Sequence, residues 1–352
     1  MVDVVEKSSV IEDEERRTGR ATTGRVRVVT AVAIFFCILA PPALIRPSAQ
    51  GKLSFDGKLL DDMNAVSPTY VFIGNSMLTS RIDEHVLAAR LGERCCFLLS
   101  TGGAESAWTH QALKNVVLAA HHRPKKVFIF FRDAYLTQPT YRATDRYWWR
   151  IEHLSHEDEP ELTRAMTLSR TWQEQLAYRL EGIYPVQKVR DRASAAVSWI
   201  AGEVVTPGRV KYGESAGQKY DGLFGLDNLR SIEADDTAFA DQDLSEFDFD
   251  ARIGTSLLPS MIRMAKEAGV DLVFVRVQRR PTIQGPPAQS RELQSYMSGL
   301  RAYFAGNGIQ FYDFTGDPEL TLDHYLDGDH IRPEWKPEST GLFLRRLQKT
   351  FE

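Results

Sequence analysis

From residue 68 onward the chain alternates short apolar runs with longer segments whose apolar residues recur at helical spacing. That rhythm predicts strands joined by crossover helices, and so an α/β sheet. Residues 69–74 (TYVFIG) predict a first strand; 80–92 predict a helix with Ile82, Val86, Leu87 and Leu91 on one face and a stop at Gly92. A second strand follows at 95–100, a helix at 105–122 and a third strand at 125–133. The rhythm then lapses and returns as a helix at 251–268, a strand at 271–277, a helix at 289–305, a strand at 309–314 and a closing helix at 339–351. The economical architecture is a three-layer sandwich around a mainly parallel five-stranded sheet, within a domain spanning 68–352.

The lapse, at about 138–250, predicts a largely helical insert. Its first half is aromatic and basic, with YRATDRYWWR at 141–150 followed by Trp172, Tyr178 and Tyr184. Residues 231–250 carry eight acids and no base, without calcium-loop spacing, and predict a solvated loop. The aromatics suit two roles that do not exclude each other. One is a helical cap on the sheet; the other is a sugar-binding wall, with Tyr147, Trp148 and Trp149 as candidate stacking faces.

The N-terminus holds a different pattern. Residues 28–45 form 18 uncharged residues, just enough to cross a hydrocarbon core. Arg16, Arg17, Arg20, Arg25 and Arg27 precede them, and only Arg46, Lys52 and Lys58 follow closely. That asymmetry predicts a cytoplasmic tail (1–27), a single-pass transmembrane anchor (28–45), a linker (46–67) and a domain exported to the far side of the membrane. A cleaved signal peptide is the competing expectation, but the long basic region and Pro47 at the would-be cleavage site favour the anchor. Either way the rest of the chain is exported. The net charge of −4 gives no case for a nucleic-acid partner, and the three cysteines, two of them adjacent at 95 and 96, offer no disulfide framework.

Candidate chemistry begins at VFIGNSMLTSR (71–81), where a strand ends at Gly74-Asn75-Ser76 and a helix-like segment starts. Taken alone, Ser76 reads as a helix cap, a position that Ser80 or Thr79 could also fill. The far end of the chain reverses that order. YLDGDHIRPEW (325–335) places Asp327 three residues before His330, in a turn-rich loop between the last strand and the last helix. A serine nucleophile needs a base to take its proton, and the base needs a carboxylate to hold its tautomer. Ser76, His330 and Asp327 are one of each.

With these motifs the sequence resembles the SGNH/GDSL hydrolase superfamily, whose nucleophile follows the first strand in Gly-Asp-Ser and whose acid and base lie in a C-terminal Asp-x-x-His. The resemblance covers 69–137 and 251–350 and implies a flavodoxin-like sandwich with Ser76, Asp327 and His330 as catalytic residues. It also implies an oxyanion hole from the backbone of Ser76 and of Gly102 or Gly103, in STGGAES (100–106). Two departures stand out. Asn75 replaces the usual Asp, and the third motif, Gly-x-Asn-Asp, reads Phe130-Phe131-Arg132-Asp133. Arg132 could supply oxyanion hydrogen bonds, hold an acidic sugar, or pair with Asp133 or another carboxylate; Asn75 and Asp133 are candidate substrate contacts.

His324-x-x-Asp327-x-x-His330 invites a metal reading, but Gly328 and Pro333 argue against a helix that would align the three. No metal or cofactor is expected. The anchor, the kept serine and Asp-x-x-His, and the altered third motif make the chain similar to periplasmic SGNH-like proteins of alginate and related exopolysaccharide O-acetylation. That resemblance implies a polysaccharide substrate and, as acyl donor, a multi-spanning membrane-bound O-acyltransferase. The alternatives are an anchored carbohydrate esterase or deacetylase and a non-catalytic glycan-binding component of an export assembly.

Overall fold

The computed structural model describes residues 55–143, 145–169, 247–283 and 285–351. Five strands, β1 (Tyr70–Gly74), β2 (Cys96–Ser100), β3 (Lys126–Phe131), β4 (Asp271–Arg276) and β5 (Gln310–Asp313), form one sheet in the order β2-β1-β3-β4-β5. Every neighbouring pair runs parallel. Side chains of alternate strand residues feed two separate cores. Val71, Ile73, Val127, Ile129, Leu272 and Phe274 lie in one; Phe72, Phe128, Phe130, Val273 and Val275 lie in the other. Apolar residues on both faces are what a parallel sheet covered by helices on both sides requires.

In chain order the helices are α1 (Lys58–Val66), α2 (Ser76–Arg81), α3 (Glu84–Leu91), α4 (Ser106–Ala112), α5 (Asp145–Glu152), α6 (Pro160–Leu168), α7 (Phe249–Ile253), α8 (Leu258–Glu267), α9 (Arg291–Gly306), α10 (Lys336–Arg346) and α11 (Gln348–Phe351). Met63 of α1, Trp108 of α4, Met261 of α8 and Leu300 of α9 pack on the first face. Leu78 of α2, Leu87 of α3 and Phe343 of α10 pack on the second. The three layers follow from this division.

Several elements differ from their sequence expectation. The single helix at 80–92 is two helices: Ile82 is extended, and the Asp83 carboxylate accepts from the His85 and Val86 N–H groups to restart the helix. The helix at 105–122 passes into a π-helical turn at Leu113–Val117, and the helix at 251–268 divides into α7 and α8, with Pro259 in the first turn of the latter. Part of the expected linker is α1, held by the fully buried Met63. The first part of the insert belongs to the core, because Ile151 of α5, Leu154 in the turn after it, and Leu162 and Met166 of α6 are buried there. Trp172, Tyr178, Tyr184, most of the acidic stretch and the apolar run 28–45 lie outside the described residues. Among the described residues no helix is long and apolar enough to cross a membrane.

One topological feature positions the site. The chain steps from β1 outward to β2, then crosses back to β3 and continues the other way to β5. The reversal between β1 and β3 opens a crevice at the carboxyl ends of those two strands, where open α/β sheets bind ligands. Ser76 follows β1, and Arg132 and Asp133 follow β3.

Candidate active site at the sheet reversal

The turn after β1 is fixed by two residues. At Gly74 an added Cβ would sit 2.9 Å from Leu78 Cβ and 3.1 Å from Phe130 Cβ, so only glycine lets α2 start this close to the sheet. Asn75 then caps the helix: its backbone is extended (φ −107°, ψ −159°) and its Oδ1 accepts from the Met77 N–H at 2.9 Å. Because Asn75 takes the cap, Ser76 is the first helical residue and its hydroxyl is free for another partner. That partner is His330, whose Nε2 lies 2.8 Å from Ser76 Oγ. Asn75, a candidate substrate contact on sequence grounds, is 4% exposed and occupied by the cap.

His330 arrives on a small antiparallel hairpin, β6 (Tyr325–Asp327) and β7 (His330–Ile331). Gly328 makes its turn at φ +36°, and Tyr325 and Ile331 anchor it in the second core. The backbone pairs Asp327 with His330 across the hairpin; the Asp327 side chain lies outside the described part of the structure. Asp329 is otherwise engaged, accepting from the Arg280 N–H at 3.1 Å and pairing with Arg132. His324 is also spoken for. Its Nδ1 lies 2.9 Å from Thr321 Oγ1 in a capping box and its ring lies against Trp335. Among the described residues no group of three potential ligands could hold a metal ion.

The turn after β3 is built from ion pairs. Arg132 pairs with Asp329, lies 3.7 Å from Asp133 through Nε, and donates to the Tyr135 hydroxyl at 3.0 Å. Of the roles open to it from sequence, this geometry matches the ion pair. Asp133, with a left-handed backbone (φ +49°), meets Arg276 at 2.8 Å and Arg279 at 2.7 Å. Burial alone would raise its carboxyl, but Arg279, Arg276 and Arg132 outweigh burial and hold it below the ordinary carboxylate range. At 4% exposure and with three guanidinium partners, Asp133 joins β3 to β4 and is not open to a substrate.

The turn after β2 completes the crevice. Ser100 is level with Gly74 in the sheet, and Thr79 Oγ1 lies 2.9 Å from Ser100 Oγ, so the Gly102-Gly103 turn begins beside α2. Gly103 has φ +72°, and a Cβ there would meet the Tyr147 ring at 2.5 Å. Arg142 and Arg150 stand 5.6 and 5.5 Å from the centre of that ring, and Arg150 also covers Trp149 at 5.4 Å. Trp149 is 49% exposed. Trp148 faces inward, packing on the first core and donating its indole N–H to Glu152. Of the three aromatics expected as a sugar wall, Tyr147 lies against the Gly103 turn, Trp149 is exposed beside Arg150, and Trp148 is turned toward the core.

Sequence reasoning missed Glu105. It is 7% exposed, follows the glycine turn, and accepts from Asn75 Nδ2 at 3.2 Å. Arg142 Nη1 is 3.9 Å away, and burial lifts the carboxyl to about 7 against the pull of Arg142 and Arg132. The available signal was weak: a glutamate at a helix start ordinarily reads as a solvated dipole partner.

No family model matches the sequence, and no curated protein does. Two solved structures show a loose likeness over most of their length. One is a presumptive acylhydrolase from Bacteroides fragilis, 13% identical, covering 83% of this chain and 95% of its own, with a TM-score of 0.37. The other is a GDSL-like lipase from Bacteroides thetaiotaomicron, 12% identical, covering 83% and 97%, also with a TM-score of 0.37. A likeness that loose carries no activity across, and the chemistry of this chain has to be read from its own residues.

Proposed function

We propose that the chain is a serine-dependent acyl-transfer enzyme that O-acylates an exported polysaccharide through a Ser76 acyl-enzyme. The supporting observation is the 2.8 Å hydrogen bond between Ser76 Oγ and His330 Nε2 at the sheet reversal. With the ring proton on Nδ1, Nε2 takes the Ser76 proton as Oγ attacks the acyl carbonyl, and Asp327 holds that tautomer. The Oγ–C bond forms, the bond from carbonyl carbon to donor oxygen breaks, and His330 passes its proton to the departing oxygen. The N–H groups of Ser76 and of Gly102 or Gly103 steady the tetrahedral oxyanion. A sugar hydroxyl then gives its proton to His330, its oxygen bonds the carbonyl carbon, the bond from that carbon to Ser76 Oγ breaks, and His330 returns the proton to Oγ.

Sequence and site together favour a glycan acceptor. Tyr147 borders the glycine turn and Trp149 is an exposed ring on the same helix, and the apolar run 28–45 with its basic flank suits an inner-membrane anchor that presents the domain to the periplasm. Acetyl-coenzyme A does not reach that side, so a multi-spanning membrane-bound O-acyltransferase is the implied donor. Water in place of the sugar would make the same residues an esterase. Turnover of p-nitrophenyl acetate in the presence and absence of neutral and acidic oligosaccharides separates the two. Mass-detected acyl-glycan formed at the expense of acetate supports transfer; acetate release unchanged by any acceptor selects the esterase.

A further inference from the structure

Glu105 is an unusual expense for the fold. A carboxyl group this buried is ordinarily matched by a close cation or several donors, as Asp133 is. Among the described residues Glu105 has one hydrogen bond, from Asn75, and its nearest cation is 3.9 Å away. Removing a carboxylate with so little compensation would relieve burial, so the group stabilises little by itself. What it does do is choose the orientation of the Asn75 amide. That amide has one acceptor and one donor end, and the Met77 N–H needs the acceptor. With an acceptor at Glu105 the amide is held with Nδ2 toward Glu105 and Oδ1 toward α2. Without it, only the Met77 N–H selects that orientation, and the cap on the turn that carries Ser76 is held less firmly.

We infer that Glu105 is a positioning residue for the reaction: through Asn75 it locks the helix cap that holds Ser76 Oγ in line with His330. The inference rests on the reading of Ser76 as the nucleophile. The chain of contacts is short and continuous, from Glu105 Oε1 to Asn75 Nδ2 at 3.2 Å, from Asn75 Oδ1 to Met77 N at 2.9 Å, and from Ser76, between those two residues, to His330 at 2.8 Å. The carboxyl's lift to about 7 agrees with a buried group whose charge the fold does little to neutralise.

The test is the rate at which a fluorophosphonate labels Ser76 in the full chain, read by intact mass, together with kcat and KM for p-nitrophenyl acetate and the melting temperature. Glu105→Leu removes the acceptor; Glu105→Gln keeps one without the charge. The expected result is about tenfold or more slower labelling in Glu105→Leu, a matching fall in kcat with little change in KM, a melting temperature unchanged or raised, and labelling in Glu105→Gln within about threefold of the native rate. If Glu105→Leu fails to fold, Glu105→Met serves the same purpose. Native-rate labelling in the Leu or Met variant overturns the inference, and so does equal slowing in the Gln variant, which would assign the effect to charge. A folded native chain that never labels would instead remove the nucleophile role of Ser76, and the role of Glu105 with it.

Discussion

The strand ends on either side of the sheet reversal are built on opposite electrostatic terms. After β3 and β4, charge is heavily compensated: Asp133 meets three guanidinium groups, and Arg276, 1% exposed, meets Asp133, Asp313 and Gln289. After β1 and β2, polar groups are sparsely compensated: the Glu105 carboxyl has one hydrogen bond, and Ser76 has His330. The first arrangement locks two strands and a loop into one geometry. The second leaves a hydroxyl poised on a base, which suits a group that must make and break bonds. On the proposed mechanism, stability is concentrated at one strand end and reactivity at its neighbour.

Four substitutions break that comparison, in falling order of effect. Ser76→Ala and His330→Ala should each lower acyl transfer by about a thousandfold or more, roughly 4 kcal/mol of transition-state stabilisation, with the urea midpoint unchanged. Asp133→Asn should do the reverse, costing about 3–5 kcal/mol of stability, because it leaves the buried Arg276 short of a counter-charge; urea denaturation reads it. Gly103→Ala forces a left-handed backbone onto a Cβ that meets Tyr147, and should cost about 1–2 kcal/mol and weaken glycan acceptance more than turnover of a small ester.

A further effect depends on pH, and the two strand ends differ in sign. The folded Glu105 carboxyl, at about 7 against an ordinary 4.5, binds its proton more tightly than in the unfolded chain. Its contribution is therefore a loss of stability as pH rises from 4.5 to 7, constant above that and at most of order 3 kcal/mol. Glu105→Gln should remove this slope and be the more stable protein at pH 8 but not at pH 4. Asp133, held below its ordinary 3.8, contributes stability that is present above that value and lost as pH falls below it. Chemical denaturation across pH, native against variant, measures both.

Much of the fold was legible because parallel strands are apolar runs and crossover helices are amphipathic. The strands expected at 69–74, 95–100, 125–133, 271–277 and 309–314 differ from β1 to β5 only at their ends. What local pattern could not supply were decisions made by side chains at a distance or by a single cap. Asp83 restarts a helix that periodicity reads as continuous, and Met63 recruits a presumed linker to the core. The candidate site divides the same way. Ser76 and His330 could be paired from motif order because each follows a recognisable element, and the structure places them in contact. The engagement of Arg132 with Asp329, of Asp133 with Arg276 and Arg279, and of Asn75 with Glu105 depends on which loops meet, so sequence left Arg132 between an oxyanion role and an ion pair, and Asn75 and Asp133 as candidates for binding.

The central claim is that Ser76 carries the acyl group, and one measurement addresses it directly. The full chain is exposed to p-nitrophenyl acetate, quenched in acid and weighed intact, with peptide mapping to locate any adduct. The account predicts a gain of one acetyl group on the peptide containing Ser76, absent in Ser76→Ala and slow to form in His330→Ala. A folded chain that gains no acetyl group, or one whose adduct persists in Ser76→Ala, would contradict it.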